Sequence, residues 1–245
     1  SGLPPYVEYY KIDSVETKSD IINNIVNLDL EYEPDEKMIY SDLGMILLYD
    51  IIEKVSNSSL DKLSDKYFYK PFNMSNTYFN PINKDIVVPT EYDNHYRMKL
   101  IKGEVHDENA YILNGVSGHA GLFSNATDIG IFSKFFLNEG VLFGRRYLKK
   151  DLIRMFTSKK KNPVHSDRAL GWDTPSKKGS SSGDYFSTGS YGHLGFTGTS
   201  LWIDPNEEII IVFLTNRVYP TRNNKGIYNI RRELHNSIMT NIKEY

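Results

Sequence analysis

The run Ile209-Ile210-Ile211-Val212-Phe213-Leu214 constrains the fold of this chain more than any other stretch. It is apolar on both faces, as a covered central strand is, and so predicts burial above and below a sheet. The run Thr199 to Ile203 precedes it, and Asp204-Pro205-Asn206 between the two is a turn sequence. Thr199–Ile203 and Glu208–Leu214 therefore predict a β-hairpin.

Helical spacing dominates most of the rest. Leu43, Ile46, Leu47, Ile51, Ile52 and Val55 predict a helix over 43–55. A second begins near Ser58 or Ser59, where Ser58 with Asp61 fits a capping pattern, and runs toward Phe68. A third covers 126–139 and breaks at Gly140. A terminal helix from Ile227 places Ile227, Ile230, Leu234, Ile238 and Ile242 on one face. Residues 80–115 predict a long excursion, and the Lys-, Ser- and Gly-rich 158–190 predict exposed loops. There is no internal repeat. Helices, an antiparallel hairpin and a final helix packed on the sheet make an α+β layered fold, read as one domain over 1–245.

Composition removes several function classes. The formal net charge is -2, which gives no electrostatic reason for nucleic acid or an anionic membrane as main partner. The chain has no cysteine, which rules out disulfides, thiolate metal sites and cysteine nucleophiles and is compatible with export. No stretch has the roughly 18 apolar residues of a membrane helix. The opening Ser1-Gly2-Leu3-Pro4-Pro5-Tyr6 has neither the basic start nor the apolar run of a signal peptide and reads as the middle of a loop.

Three constellations can carry chemistry. Tyr40-Ser41-Asp42 stands just before the 43–55 helix. A phenolate near a cation can take a proton from a serine hydroxyl, although Ser41 or Asp42 would serve equally as a plain helix cap. Gly192-His193-Leu194-Gly195-Phe196-Thr197-Gly198-Thr199 heads the hairpin. Glycines there admit substrate to the backbone N–H groups and His193 can supply a proton, the plainer alternative being a bulged strand edge. Val105-His106-Asp107-Glu108-Asn109-Ala110 and Gly115-Val116-Ser117-Gly118-His119-Ala120-Gly121 carry His106, Asp107 and His119. Their spacing matches no HExxH helix and no third histidine follows at a matching interval, so they predict a pocket wall without metal.

These segments resemble a known family. Tyr40-Ser41-Asp42-Leu43-Gly44 resembles the Tyr-x-Asn element of serine β-lactamases of the cephalosporinase type and of their esterase and carboxypeptidase relatives, with aspartate in place of the usual asparagine. His193-Leu194-Gly195 resembles their Lys-Thr-Gly element in its His-x-Gly form. Pro71-Phe72-Asn73-Met74, Gly118 to Asp128, Asn216-Arg217-Val218-Tyr219-Pro220 and Ser1-Gly2-Leu3-Pro4 also match in order. The Val-His-Asp-Glu-Asn-Ala and Gly-His-Ala-Gly-Leu-Phe-Ser segments resemble a penicillin-binding-protein-4B-like and N-acetylmuramoyl-L-alanine amidase subgroup, often beside or fused to a β-N-acetylglucosaminidase.

The resemblance implies a β-lactamase/transpeptidase-like fold, an antiparallel sheet flanked by helices. It implies a serine hydrolase acting through an acyl-enzyme on a cell-wall-derived muramoyl-peptide or peptidoglycan, outside the cytoplasm or at the envelope. Tyr40 would transfer protons, Asp42 would hold the lysine or the substrate amide, and His193 would stabilise the tetrahedral intermediate with the backbone near Gly195, Phe196 and Thr197. His119 and Arg222 would contact substrate; no cofactor or metal is implied. The family nucleophile, Ser-x-x-Lys, is expected upstream of Ser1 together with the first strands, and residues 1–245 alone are then expected to be inactive. Ser59-Leu60-Asp61-Lys62 and Ser158-Lys159-Lys160-Lys161 lack the apolar surroundings that lower a lysine pKa and are chance matches. The alternatives are a carboxylesterase or β-lactamase of the same fold, or a catalytically dead peptidoglycan-binding module.

Overall fold

A computed structural model describes residues 1–160 and 166–243. The chain divides into two compact units, Ser1–Ser124 and Asn125–Tyr245. Each is α+β, as the sequence predicts.

In the first unit, α1 (Lys18–Val26) starts at a reciprocal cap: Asp20 N donates to Thr17 Oγ1 at 3.2 Å and Thr17 N to Asp20 Oδ2 at 2.8 Å. It buries Ile21, Ile22 and Ile25 against Leu43 and Ile46 of α2 (Asp42–Ser56). Of the apolar positions expected on α2, only that inner pair is buried; Ile51, Ile52 and Val55 are exposed. The next helix, α3 (Leu60–Ser64), passes into a π turn over Asp65–Tyr69. Its cap corrects the expectation for Ser58 and Asp61. The N-cap is Ser59, which makes no side-chain bond, and Glu53 Oε1 of α2 accepts from Leu60 N at 2.6 Å instead.

The 80–115 excursion is ordered by polar contacts. It holds two-residue strands and a short helix: β1 (Tyr78–Phe79) lies just before it, followed by β2 (Tyr92–Asp93), β3 (Lys99–Leu100), α4 (Glu108–Ile112) and then β4 (Leu122–Phe123). β1 pairs with β4 and β2 with β3, both antiparallel.

In the second unit, α5 (Ala126–Leu137) is capped by Asn125 Oδ1, which accepts from Asp128 N at 2.8 Å, and the helix stops before Gly140 at φ +89°. After the hairpin β5 (Val141–Leu142) and β6 (Arg145–Arg146) come α6 (Lys150–Thr157) and long loops. Lys161 of the Ser158 run, and residues 161–165 of the expected loop, lie outside the described residues. The sheet is β7 (Tyr191–Leu194), β8 (Ser200–Asp204) and β9 (Ile209–Phe213), antiparallel in that order. The hairpin is therefore present, but β8 occupies the centre and β9 lies at an edge of the described sheet. Trp202 and Ile203 of β8 are fully buried. Both faces of β9 are partly buried, and Ile211 packs in one cluster with Trp202 and Met239.

The last helix, α7 (Ile227–Lys243), corrects the expected face. Its buried positions are Ile227, Arg231, His235 and Met239, whereas Ile230 and Ile242 are exposed. An i, i+4 stripe holding arginine and histidine escapes a reading of apolar residues alone. Here both polar side chains satisfy loop carbonyls: Arg231 Nη2 donates to Gly198 O at 3.0 Å and Thr199 O at 3.2 Å, and His235 Nδ1 to Ser181 O at 2.9 Å.

Candidate active site

The first unit places Tyr40 and Asp42 at the head of α2. Ser41 Oγ donates to Pro4 O at 2.7 Å and Asp42 N to Pro5 O at 3.0 Å, so the opening segment fixes the helix entrance. Ser41 thus anchors the entrance to the opening segment, and the helix start has no side-chain cap. The Tyr40 side chain is exposed.

Asp42 faces a hydrogen-bonded chain built by the excursion. His119 Nε2 is 2.9 Å from Asp107 Oδ1 and its Nδ1 is 2.8 Å from Ser117 Oγ, with the imidazole side chain 2% exposed. Gly118 makes this approach feasible, because a Cβ there would sit 2.3 Å from Met45 O of α2. Asp107 also caps α4, accepting from Ala110 N at 2.7 Å. Single ligand-capable atoms of Asp42, Asp107 and His119 lie within 4.8 Å of one another. That is the group with the geometry to approach a cation, but His119 already engages both ring nitrogens in hydrogen bonds. Burial and the nearby Asp107 push the Asp42 carboxyl above its ordinary range against the pull of His119. For Asp107 burial works upward too, yet the hydrogen bonds from His119 and Ala110 hold it below.

Behind this group lies a staple that sequence reasoning missed. Arg97, 3% exposed at its side chain, donates from Nε to Asp93 Oδ2 at 3.0 Å, from Nη1 to Val105 O at 2.6 Å and from Nη2 to His106 O at 2.5 Å. Asp93, fully buried, also accepts from the backbone N–H groups of His95, Tyr96 and Arg97. Next in line His106 Nε2 meets Glu91 Oε2 at 2.8 Å. The staple fixes the carbonyls just before Asp107. The Asp93–Arg97 spacing was visible, but nothing in it points to Val105 and His106.

The second unit places His193 on β7 opposite Leu201 of β8. Its Nδ1 is 2.8 Å from Leu194 O. A carbonyl only accepts, so Nδ1 carries the proton, and in the neutral ring Nε2 carries the lone pair. Burial, with Arg168 nearby, lowers the His193 pKa, and Asp173 opposes the shift. The neutral ring is thus the favoured form at neutral pH.

Gly195, Phe196 and Thr197 form the tip between β7 and β8, closed by Gly198 N to Gly195 O at 3.0 Å and Gly195 N to Thr199 O at 2.9 Å. A Cβ at Gly195 would meet Thr199 Oγ1 at 2.1 Å, so any larger residue there must turn the Thr199 side chain aside. Arg217, which the sequence marks only as part of the Asn216–Pro220 match, holds the tip. Its backbone N donates to Thr197 O at 2.8 Å and its Nε to Phe196 O at 2.7 Å, while its guanidinium stacks 4.5 Å from the Phe196 ring centroid. Arg222 lies 5.9 Å from the same ring, and its carbonyl accepts from Arg217 Nη1 at 2.8 Å.

Neither Ser-x-x-Lys match gains support as a nucleophile. Ser59 is the N-cap of α3 with Lys62 exposed, and Ser158 is exposed after α6, with Lys159 paired to Asp167.

The Beta-lactamase family matches residues 1–235. The chain is 34% identical over 245 aligned residues to an N-acetylmuramyl-L-alanine amidase of Bacillus subtilis (strain 168), covering 89% of this chain and 54% of that protein. It is 35% identical over 217 residues to an Escherichia coli (strain K12) protein provisionally named D-alanyl-D-alanine carboxypeptidase, covering 82% and 50%. The chain thus spans about half the length of the curated relatives it matches. A penicillin binding protein from Bacillus halodurans has the same fold at a TM-score of 0.68 and 14% identity, covering 97% of this chain and 69% of that one.

Proposed function

The chain belongs to the beta-lactamase family, with a β-lactamase/transpeptidase-like fold, and from that premise we propose that it serves a serine hydrolase cleaving an amide or ester bond of a muramoyl-peptide or peptidoglycan fragment through an acyl-enzyme. Residues 1–245 would be the C-terminal portion of one such domain. The observation that carries the reading is the head of α2, where an exposed Tyr40 and an aspartate whose carboxylate accepts no hydrogen bond from the described residues flank a serine tied to Pro4. The name of the Bacillus subtilis relative supports the substrate class.

In this mechanism the serine hydroxyl of the complete gene product attacks the scissile carbonyl and Tyr40 takes its proton. Asp42 holds the neighbouring ammonium or the substrate amide. His193, with Nδ1 committed to Leu194 O, takes up a solvent proton at Nε2 as the oxyanion develops and gives it back when the oxyanion collapses, beside the backbone of Gly195, Phe196 and Thr197. Tyr40 passes the serine's proton to the leaving amine or alkoxide, then takes a proton from the water that hydrolyses the acyl-enzyme and returns it to the serine. Arg222 is assigned to a substrate carboxylate. No cofactor enters the scheme. The setting proposed is extracytoplasmic or at the envelope, with a β-N-acetylglucosaminidase as partner or fused domain; no described helix is long and apolar enough to cross a membrane.

The test is turnover by the complete gene product of a muramoyl-peptide, a p-nitrophenyl ester and nitrocefin. Tyr40→Phe and His193→Ala are each expected to lower kcat on the muramoyl-peptide by about 10²–10⁴, with losses in the double variant far from multiplicative. Residues 1–245 alone are expected to turn over none of the three. Preference for ester or nitrocefin would move the assignment to the esterase or β-lactamase alternative. Binding of peptidoglycan without any turnover would leave the inactive binding module.

A further inference from the structure

We propose that His119, locked by Ser117 and Asp107, is a positioning residue for Asp42, supplying the counter-charge that keeps this aspartate oriented for catalysis. The inference rests on the role given to Asp42 above.

The geometry is one-sided. Asp42 spends its backbone N–H on Pro5 O, and its carboxylate accepts no hydrogen bond from any other described residue. Facing it are Asp107, His119 and the Tyr6 phenol, with Glu108 and Tyr10 also near Tyr6. Behind Asp107 stands His106, paired with Glu91. Of the three groups bearing directly on Asp42, only His119 can carry positive charge. Two carboxylates this close repel unless a cation or a proton intervenes.

The ring is also fixed as few histidines are. Ser117 Oγ holds Nδ1 at 2.8 Å and Asp107 Oδ1 holds Nε2 at 2.9 Å, so the imidazole cannot rotate without losing both bonds. Asp107 is itself pinned by Ala110 N at 2.7 Å, and the carbonyl before it by Arg97. A fixed, buried imidazole thus acts on a carboxylate that the described residues leave without a hydrogen bond. Without it, Asp42 would face Asp107 uncompensated, and would turn away or take up a proton.

The test is a double-mutant cycle in the complete gene product. His119→Gln is expected to lower kcat on the muramoyl-peptide by about 10–100-fold with KM changed less than about twofold, and to move the acid limb of the pH profile upward. In an Asp42→Asn background, where no charge needs balancing, the same substitution is expected to cost less than about threefold and to leave the limb in place. Equal losses in both backgrounds, tracking a fall in Tm, would show a purely structural histidine and overturn the proposal. Stoichiometric zinc, lost from both single variants together with activity, would overturn it in favour of a metal site. Should His119→Gln fail to fold, His119→Asn, which removes the same ring from beside Asp42, serves the same cycle. Should the gene product turn over none of the substrates, the ¹³C resonance of the Asp42 carboxyl still decides. Its titration must move upward in His119→Gln, and no movement refutes the coupling whatever the activity.

Discussion

Arg97 and Arg231 are both buried guanidiniums, one in each unit, yet they do different work. Arg97 is saturated: it pairs with the buried Asp93 carboxylate and donates to two carbonyls. Arg231 meets only the carbonyls of Gly198 and Thr199, has no carboxylate partner among the described residues, and leaves Nε without an acceptor. Burial, with Arg217 nearby, holds its pKa below the ordinary guanidinium value. The first unit therefore organises its candidate site through charge, on irregular backbone with two-residue strands. The second organises its site through a sheet around the buried Trp202 and Ile203 and uses Arg231 and Arg217 to hold the turn beside it. Where backbone regularity is lacking, buried ion pairs supply the positional order, and their removal is correspondingly costly.

The sharpest way to break this contrast is Arg97→Ala. It strands the Asp93 charge and leaves the Val105 and His106 carbonyls without donors, so a loss of about 3–5 kcal/mol in urea unfolding is expected. Hydrogen exchange should show the damage over 91–112, with protection of 200–213 retained. Equal loss in both segments would mean that the staple supports the whole chain.

The next effect is one of pH. Burial alone would raise the Asp93 carboxyl, but three backbone N–H groups and Arg97 hold it far below the ordinary range. A depressed folded-state value stabilises the protein fully above the unfolded value, about pH 3.9, and that stability drains away as pH falls toward the folded value. Asp93→Asn is expected to remove one proton's worth of that dependence, about 1.4 kcal/mol per pH unit below pH 4. An unchanged acid slope in stability measured from pH 5 to pH 2 would contradict the charge-built picture of this unit.

The smallest effect belongs to Arg231→Met. Two carbonyl bonds are lost while an incompletely paired buried charge is relieved, for a net cost of about 1–2 kcal/mol. Because those carbonyls belong to the tip beside Gly195–Thr197, kcat should fall more than stability does. A loss as large as that of Arg97→Ala would erase the distinction between the two arginines.

Local pattern was enough for the helices at 42–56, 126–137 and 227–243 and for the β8–β9 hairpin, because apolar period and turn chemistry act over neighbouring residues. Linear order likewise made Tyr40-Ser41-Asp42 and His193-Leu194-Gly195 recognisable as family elements. Tertiary structure alone decided that β8 lies between β7 and β9 in the described sheet, that α7 turns Arg231 and His235 inward, and that Arg97 ties Asp93 to the carbonyls of Val105 and His106. It also decided that His119 reaches the head of α2, 77 positions after Asp42 in sequence (119 less 42), through the gap that Gly118 leaves against Met45. Hydrogen bonds from a side chain to a distant carbonyl leave no period and no spacing in the sequence, since any residue offers the same carbonyl. Which one a buried guanidinium or imidazole meets is set only when the chain has closed around it.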